Sequence, residues 1–190
     1  MRKLYLLLLL ESCFSKATIK AQPECSGVYL TANDFMAGKL CYACTSRSMS
    51  KGSYYNLLAK SHFFIIQPDY AWWRIDKEEV FAIKGCEAEV VRIFQGTNFY
   101  LLNPGENIPI YKEVMYAVGK GNTTRVKYCF SRSPVSEILG LTIENLKAAF
   151  PDNNQFGDAI DAHFKDDSDL YAYNDMIKSF ELNRVYNSCK

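Results

Sequence analysis

The sequence predicts an α+β domain: an antiparallel β-sheet curled into a barrel- or sandwich-like form, with about three C-terminal helices packed on it. Three observations carry the expectation. From 27 to 132, short apolar or alternating runs recur between turn signals and are joined by turns rather than helices, as in antiparallel sheets. From 137 to 187 the apolar spacing becomes helical. No internal repeat, linker or low-complexity stretch separates the two parts, so residues 22–190 are expected to form one domain.

The chain begins with the three-part pattern of a secretory signal over 1–21: basic Arg2 and Lys3, an apolar run from Leu4 to Leu10, and a polar tail ending at Ala21. Glu11 stops the run after seven residues, well short of the roughly 20 that a membrane span requires. Cleavage is expected after Ala21, with Ala17 as a second possible site. An alternative is lipidation at Cys13, because Leu10-Glu11-Ser12-Cys13 resembles a lipobox, although Glu11 suits it poorly. The expected address is secreted or periplasmic, with no transmembrane span once the signal is removed.

The strands follow in order. Gly27 to Thr31 is β-rich, Ala32-Asn33-Asp34 breaks the run, and 35–43 leads through a turn into a second strand. Residues 54–59 and 62–67 read as strands, and Pro68-Asp69 turns the chain toward 72–75 and 80–84, which flank the charged Asp76-Lys77-Glu78-Glu79. Runs 88–94 and 99–102 flank Gln95-Gly96-Thr97-Asn98, the pattern of an antiparallel hairpin with a four-residue connection. Asn103-Pro104-Gly105 is a turn signal, and strands over 108–118 and 125–131 lie on either side of the glycine-containing break at 119–122.

Three helices are expected next. Thr142 caps the first, over 143–150, which ends before Pro151; Asp152 caps a second, over about 154–165. Ser168 or Asp167 caps a longer third, on which Leu170, Tyr173, Ile177 and Phe180 make one apolar face.

Composition narrows the function. Twenty-two basic and 21 acidic residues are interspersed to a net charge of +1, with no basic stripe for nucleic acid. Hydrophobic residues at 48% and aromatics at 14% indicate a folded globular chain. Beyond the signal stand six cysteines, Cys25, Cys41, Cys44, Cys86, Cys129 and Cys189, an even number that suits an oxidising compartment and permits 15 pairings. Cys25 and Cys189 would staple the two ends if joined. Cys86 and Cys129 lie in apolar runs and read equally well as buried thiols.

The run Gly27-Val28-Tyr29-Leu30-Thr31-x-x-Asp34-Phe35-x-x-Gly38-Lys39, the segment Tyr128-Cys129-Phe130-Ser131, and Leu141-Thr142-x-x-Asn145-Leu146-Lys147-x-Ala149-Phe150-Pro151-Asp152 together resemble small exported proteins of the Bacteroidota. Gln22, next to the expected cut, is similar to signal ends in that phylum. The resemblance implies a bacterial export address and brings no active-site residues with it.

Candidate chemistry is sparse. Cys41-Tyr42-Ala43-Cys44 has the spacing of a thiol-redox pair, yet it falls on an expected strand, where residues three apart point to opposite faces. A zinc site would need a second ligand pair, which neither Cys86 nor Cys129 supplies. His62 and His163 are the only histidines, and neither Gly-x-Ser-x-Gly nor His-Glu-x-x-His occurs. Residues 152–157 share the first, third and sixth positions of a calcium loop but place Phe156 fifth and His163 twelfth, where a ligand and a bidentate glutamate belong. No catalytic residue, cofactor or metal is therefore assigned. Trp72-Trp73 and Tyr54-Tyr55 are adjacent aromatic pairs on expected strands, and an outward-facing member would offer a platform for a sugar ring or a protein. The reading is an exported, non-catalytic binding or envelope-associated protein. A hydrolase using carboxylates or a Cys–His pair and a thiol-redox protein are the alternatives.

Overall fold

The computed structural model describes residues 26–44, 58, 61–66, 72–85, 89–116 and 124–190. The expected signal, Cys13, Cys25, Tyr54, Tyr55 and Cys86 lie outside these residues.

In chain order, β1 (Ser26–Tyr29) leads into α1 (Ala32–Met36) and β2 (Cys41–Cys44), followed by the hairpin β3 (His62–Ile66) and β4 (Trp72–Asp76). A meander follows: β5 (Ala82–Lys84), β6 (Val90–Phe94), β7 (Thr97–Leu101), β8 (Ile110–Tyr116), β9 (Thr124–Phe130) and β10 (Leu139–Gly140). The C-terminal part holds α2 (Ile143–Ala149), α3 (Asn154–His163), the short hairpin β11 (Tyr173–Asn174) and β12 (Ser179–Phe180), and α4 (Glu181–Ser188). Eight strands form one sheet in the order β10-β9-β8-β7-β6-β5-β1-β2. Every neighbouring pair is antiparallel. The sheet curls as a half-barrel, and helices follow it, as the sequence predicts.

Register assigns the two faces. Val28, Ile83, Val91, Tyr100, Lys112 and Tyr128 form one cross-strand row. Residues of this parity point to one face. At one end of that face Val28, Ile83, Val91 and Ile93 pack with Leu58, Ile75 and Val80. At the other end Ile110 and Phe130 pack with Leu146, Phe156, Ile160, Leu182 and Val185 of the helices. The opposite row runs Tyr29, Ala82, Arg92, Phe99 and Glu113. That second face carries a smaller cluster of Phe99, Tyr111, Cys129 and Ile138.

Local chemistry explains the helices. Thr142 accepts a hydrogen bond from the Asn145 amide and starts α2. Asn153, rather than Asp152, caps α3 by accepting from the Phe156 amide. The Tyr128 and Tyr171 rings stack at 4.0 Å, joining β9 to the helical part. No helix among the described residues is long and apolar enough to cross a membrane.

Three further local expectations are corrected. Ala32-Asn33-Asp34 does break the run, but it opens the helix α1 rather than a turn, because Thr31 and Asp34 form a reciprocal capping box. The hairpin loop is the two residues Gln95-Gly96, with φ of 50° and 72°, so Thr97 and Asn98 belong to β7. Two successive positive φ values give the turn a twist that matches the paired strands.

The third correction concerns the last helix. Asp166, not Asp167 or Ser168, caps a single 3-10 turn over Asp167–Tyr171, and the hairpin β11–β12 comes before α4. Asn174 Oδ1 accepts from the Met176 and Ile177 amides, and Lys178 adopts φ 53°, a local turn that ends any helix. Leu170 and Phe180 are buried on separate elements, while Ile177 is exposed, so their spacing is not that of one helical face.

Candidate functional site: a cleft on the second face of the sheet

The second face is covered from two sides. The 131–138 loop folds over β8 and β9, held by Tyr111 Oη donating to Ser131 Oγ (3.1 Å), which donates to the Ser133 carbonyl (2.6 Å). From the other side α1 brings Phe35 against Tyr29, with ring centroids 5.2 Å apart, and against Phe81 at 5.5 Å. The turn at 103–106 forms a third wall. Its Gly105 has φ 88°, the left-handed position after Pro104, and the Glu106 amide donates to the Asn103 carbonyl. Between them lies a cleft of about 490 Å³ with Tyr29, Phe35, Val90, Leu101, Tyr111 and Pro134 among its walls.

Arg92 also lines this cleft, at the centre of β6 and only 4% exposed. Its guanidinium carbon stands 5.0 Å from the Phe81 ring centroid and 5.5 Å from that of Phe94. Nη2 makes a long 3.4 Å contact to the Val135 carbonyl, and buried Nε and Nη1 have no hydrogen-bond partner. Lys84 and Glu106 are the other charged residues of the lining. Glu106 accepts from Asn103 Nδ2 at 3.3 Å. The Tyr29 hydroxyl, desolvated by burial, has its pKa raised and stays neutral.

The residues singled out by sequence fall elsewhere. Cys41 and Cys44 lie on β2, at the edge of the sheet, and Cys41 carries a free thiol. Cys129 and Cys189 also carry free thiols and are buried, while Cys25, the other end of the expected staple, lies outside the described residues. Burial raises the Cys129 pKa, with Lys127 opposing and Glu113 reinforcing the shift, which keeps the sulfur a thiol rather than a nucleophile. Trp72 and Trp73 stand on β4, their backbones paired with Ile66 and Ile65. His163 Nδ1 contacts the Ala159 carbonyl one helical turn back, and Ser61 Oγ contacts His62 Nδ1 at 3.4 Å. Among the described residues no three His, Cys, Asp or Glu side chains converge as a metal site.

None of the candidate cysteines or aromatic pairs is among the described residues that line the cleft. Arg92 was missed by sequence reading. Its signal was a lone cation amid Val90-Val91-Arg92-Ile93-Phe94, and only the covering of the second face turns it from an outward charge into a buried one.

The geometry defines a class: a half-barrel α+β domain with an apolar, aromatic-walled cleft around one buried arginine. Comparison of the chain with protein-family models, curated proteins and solved structures returns no match, so fold and cleft carry the functional argument.

Proposed function

We propose that this protein is an exported, non-catalytic binding protein whose small-molecule ligand occupies the cleft bounded by α1, the 103–106 turn and the 131–138 loop. One observation carries the reading: Arg92, buried and lacking partners at two nitrogens, lines a cleft whose walls are otherwise largely apolar. Ligand sites are commonly concave apolar spaces of about 300–1,000 Å³ with a few placed polar groups. Export is supported by the signal pattern over 1–21 and by the resemblance to exported Bacteroidota proteins.

The full chain, expressed with its own leader, tests both halves. Intact mass of the exported fraction reads cleavage after Ala21. Amide spectra recorded against neutral, anionic and cationic solutes read the cleft. Binding shifts confined to Tyr29, Phe35, Arg92, Leu101 and Tyr111 are expected. Shifts scattered over the surface, or no shift with any solute, would overturn cleft binding, and an uncleaved cytoplasmic chain would overturn export.

A further inference from the structure

We infer that the ligand is a small apolar carboxylic acid whose carboxylate is held by Arg92, an inference that rests on the reading of the cleft as a binding site. The argument begins with an imbalance. Arginine keeps its charge inside proteins, and removing such an ion from water is strongly unfavourable. The Phe81 and Phe94 rings beside the guanidinium return only part of that cost. The 3.4 Å contact to Val135 lies beyond the usual 2.7–3.2 Å range of N–H···O bonds. No carboxylate among the described residues pairs with Arg92. Glu106, the acidic residue of the lining, is engaged by Asn103. With no carboxylate among the described residues beside it, a cation held this way is suited to an anion entering through the cleft it lines.

The lining selects the kind of anion. The charged residues of the lining, Arg92, Lys84 and Glu106, sum to one positive charge, so a monoanion matches the cleft and a dianionic phosphate does not. The planar guanidinium fork matches the two oxygens of a carboxylate. The remainder of the ligand meets Tyr29, Phe35, Val90, Leu101, Tyr111 and Pro134, which favour hydrocarbon or aromatic rings over a sugar. Nε and Nη1 are closed off from solvent, so Nη2 takes the carboxylate first, in place of the long Val135 carbonyl contact, and the fork is completed as the guanidinium turns toward the cleft.

Calorimetry on the exported protein tests this with decanoate, decanol and decyl phosphate, each below its aggregation concentration. Decanoate is expected to bind at least about tenfold more tightly than decanol, equal to 1.4 kcal/mol. Arg92→Met should abolish that preference while melting at or above the parent temperature, because it removes an unpaired buried charge. A merely structural Arg92 would instead lower the melting temperature on replacement. Arg92→Lys, which keeps the charge, should retain part of the preference. Equal binding of decanoate and decanol overturns the inference, and so does preference for decyl phosphate. A trileucine peptide is the second arm: tighter binding of its free-carboxylate form than of decanoate would assign the anion to a peptide end and overturn the small-acid reading. If decanoate fails while other solutes shift the cleft amides, the carboxylate is refuted and the binding reading stands.

Discussion

Asn183 and Ile108 are joined at both ends of one side chain. The Ile108 amide donates to Asn183 Oδ1 at 2.8 Å, and Asn183 Nδ2 donates to the Ile108 carbonyl at 2.9 Å. Both residues are completely buried. The pairing ties α4 to the entrance of β8. Asn103 closes the same knot, donating to the Ile108 carbonyl at 2.8 Å and accepting from the Ile110 amide at 2.6 Å. A buried asparagine thus positions the wall strand of the cleft relative to the helices on the opposite face.

Asn183→Leu keeps the bulk and removes both bonds, leaving the Ile108 amide without a partner in a fully buried site. Stability should fall by about 2–3 kcal/mol, the combined loss of a hydrogen bond and cost of a buried orphan donor. The Ile108 carbonyl keeps Asn103, which limits the damage. Urea unfolding followed by circular dichroism measures it, and a change below about 0.5 kcal/mol, the range of ordinary surface substitutions, would show that the knot contributes little.

The Gln95-Gly96 turn makes a prediction of the opposite sign. Gln95 is a non-glycine residue at φ 50°, a conformation asparagine tolerates better. Gln95→Asn should therefore stabilise by a few tenths of a kcal/mol to about 1 kcal/mol, while Gly96→Ala should cost about 1 kcal/mol. Space is not the reason, since the nearest atom to an added Cβ at Gly96 is Glu78 Oε1 at 3.9 Å. Thermal melts of the two variants should move in opposite directions.

These positions also show what the sequence discloses and what it leaves hidden. The meander was legible because each strand is short and punctuated: Gln95-Gly96 and Asn103-Pro104-Gly105 are turn chemistry in plain view. Thr142 announced α2 in the same way. By contrast, α1 is five residues long and buries none of them, so it offered no apolar periodicity and only its capping box could reveal it. The region 167–180 misled because Leu170, Tyr173, Ile177 and Phe180 imitate helical spacing while Asn174 and Lys178 dictate a turn. Arg92 was illegible for a different reason. A cation on a strand usually faces water, and its burial here depends on Phe35 and Val135, 57 and 43 positions away along the chain.

Cys129 should resist alkylation in the folded protein. It is 2% exposed, and burial raises its pKa, so both access and thiolate fraction oppose reaction. Iodoacetamide at pH 8 followed by peptide mass spectrometry should modify Cys129 only after denaturant is added. Labelling of the native protein at a rate similar to the unfolded chain would contradict the buried placement of β9's second face.

The cap of α1 makes the cleft wall sensitive to acid. Thr31 Oγ donates to Asp34 Oδ2 at 2.6 Å, the Thr31 amide donates to the same oxygen at 3.1 Å, and the Asp34 amide returns a bond to Thr31 Oγ. The Thr31 hydroxyl bond, followed by the Thr31 amide bond and the charge of Lys39, holds the Asp34 carboxyl below its ordinary value of 3.8, although partial desolvation opposes them. The sign follows directly. Asp34 binds its proton less readily when folded, so its contribution is complete above 3.8 and disappears as pH falls through the lower folded value. Phe35 is the next residue, and its contact with Tyr29 forms part of the wall. Proton spectra between pH 7 and pH 2 should therefore show the Phe35–Tyr29 ring contact intact until below 3.8 and then weakening together with the Asp34 carboxyl titration. In Asp34→Ala the contact should be weakened at every pH, with no acid step of its own. A contact that weakens at the same pH in the parent and in Asp34→Ala would mean that another carboxylate, not the capping box, secures this wall.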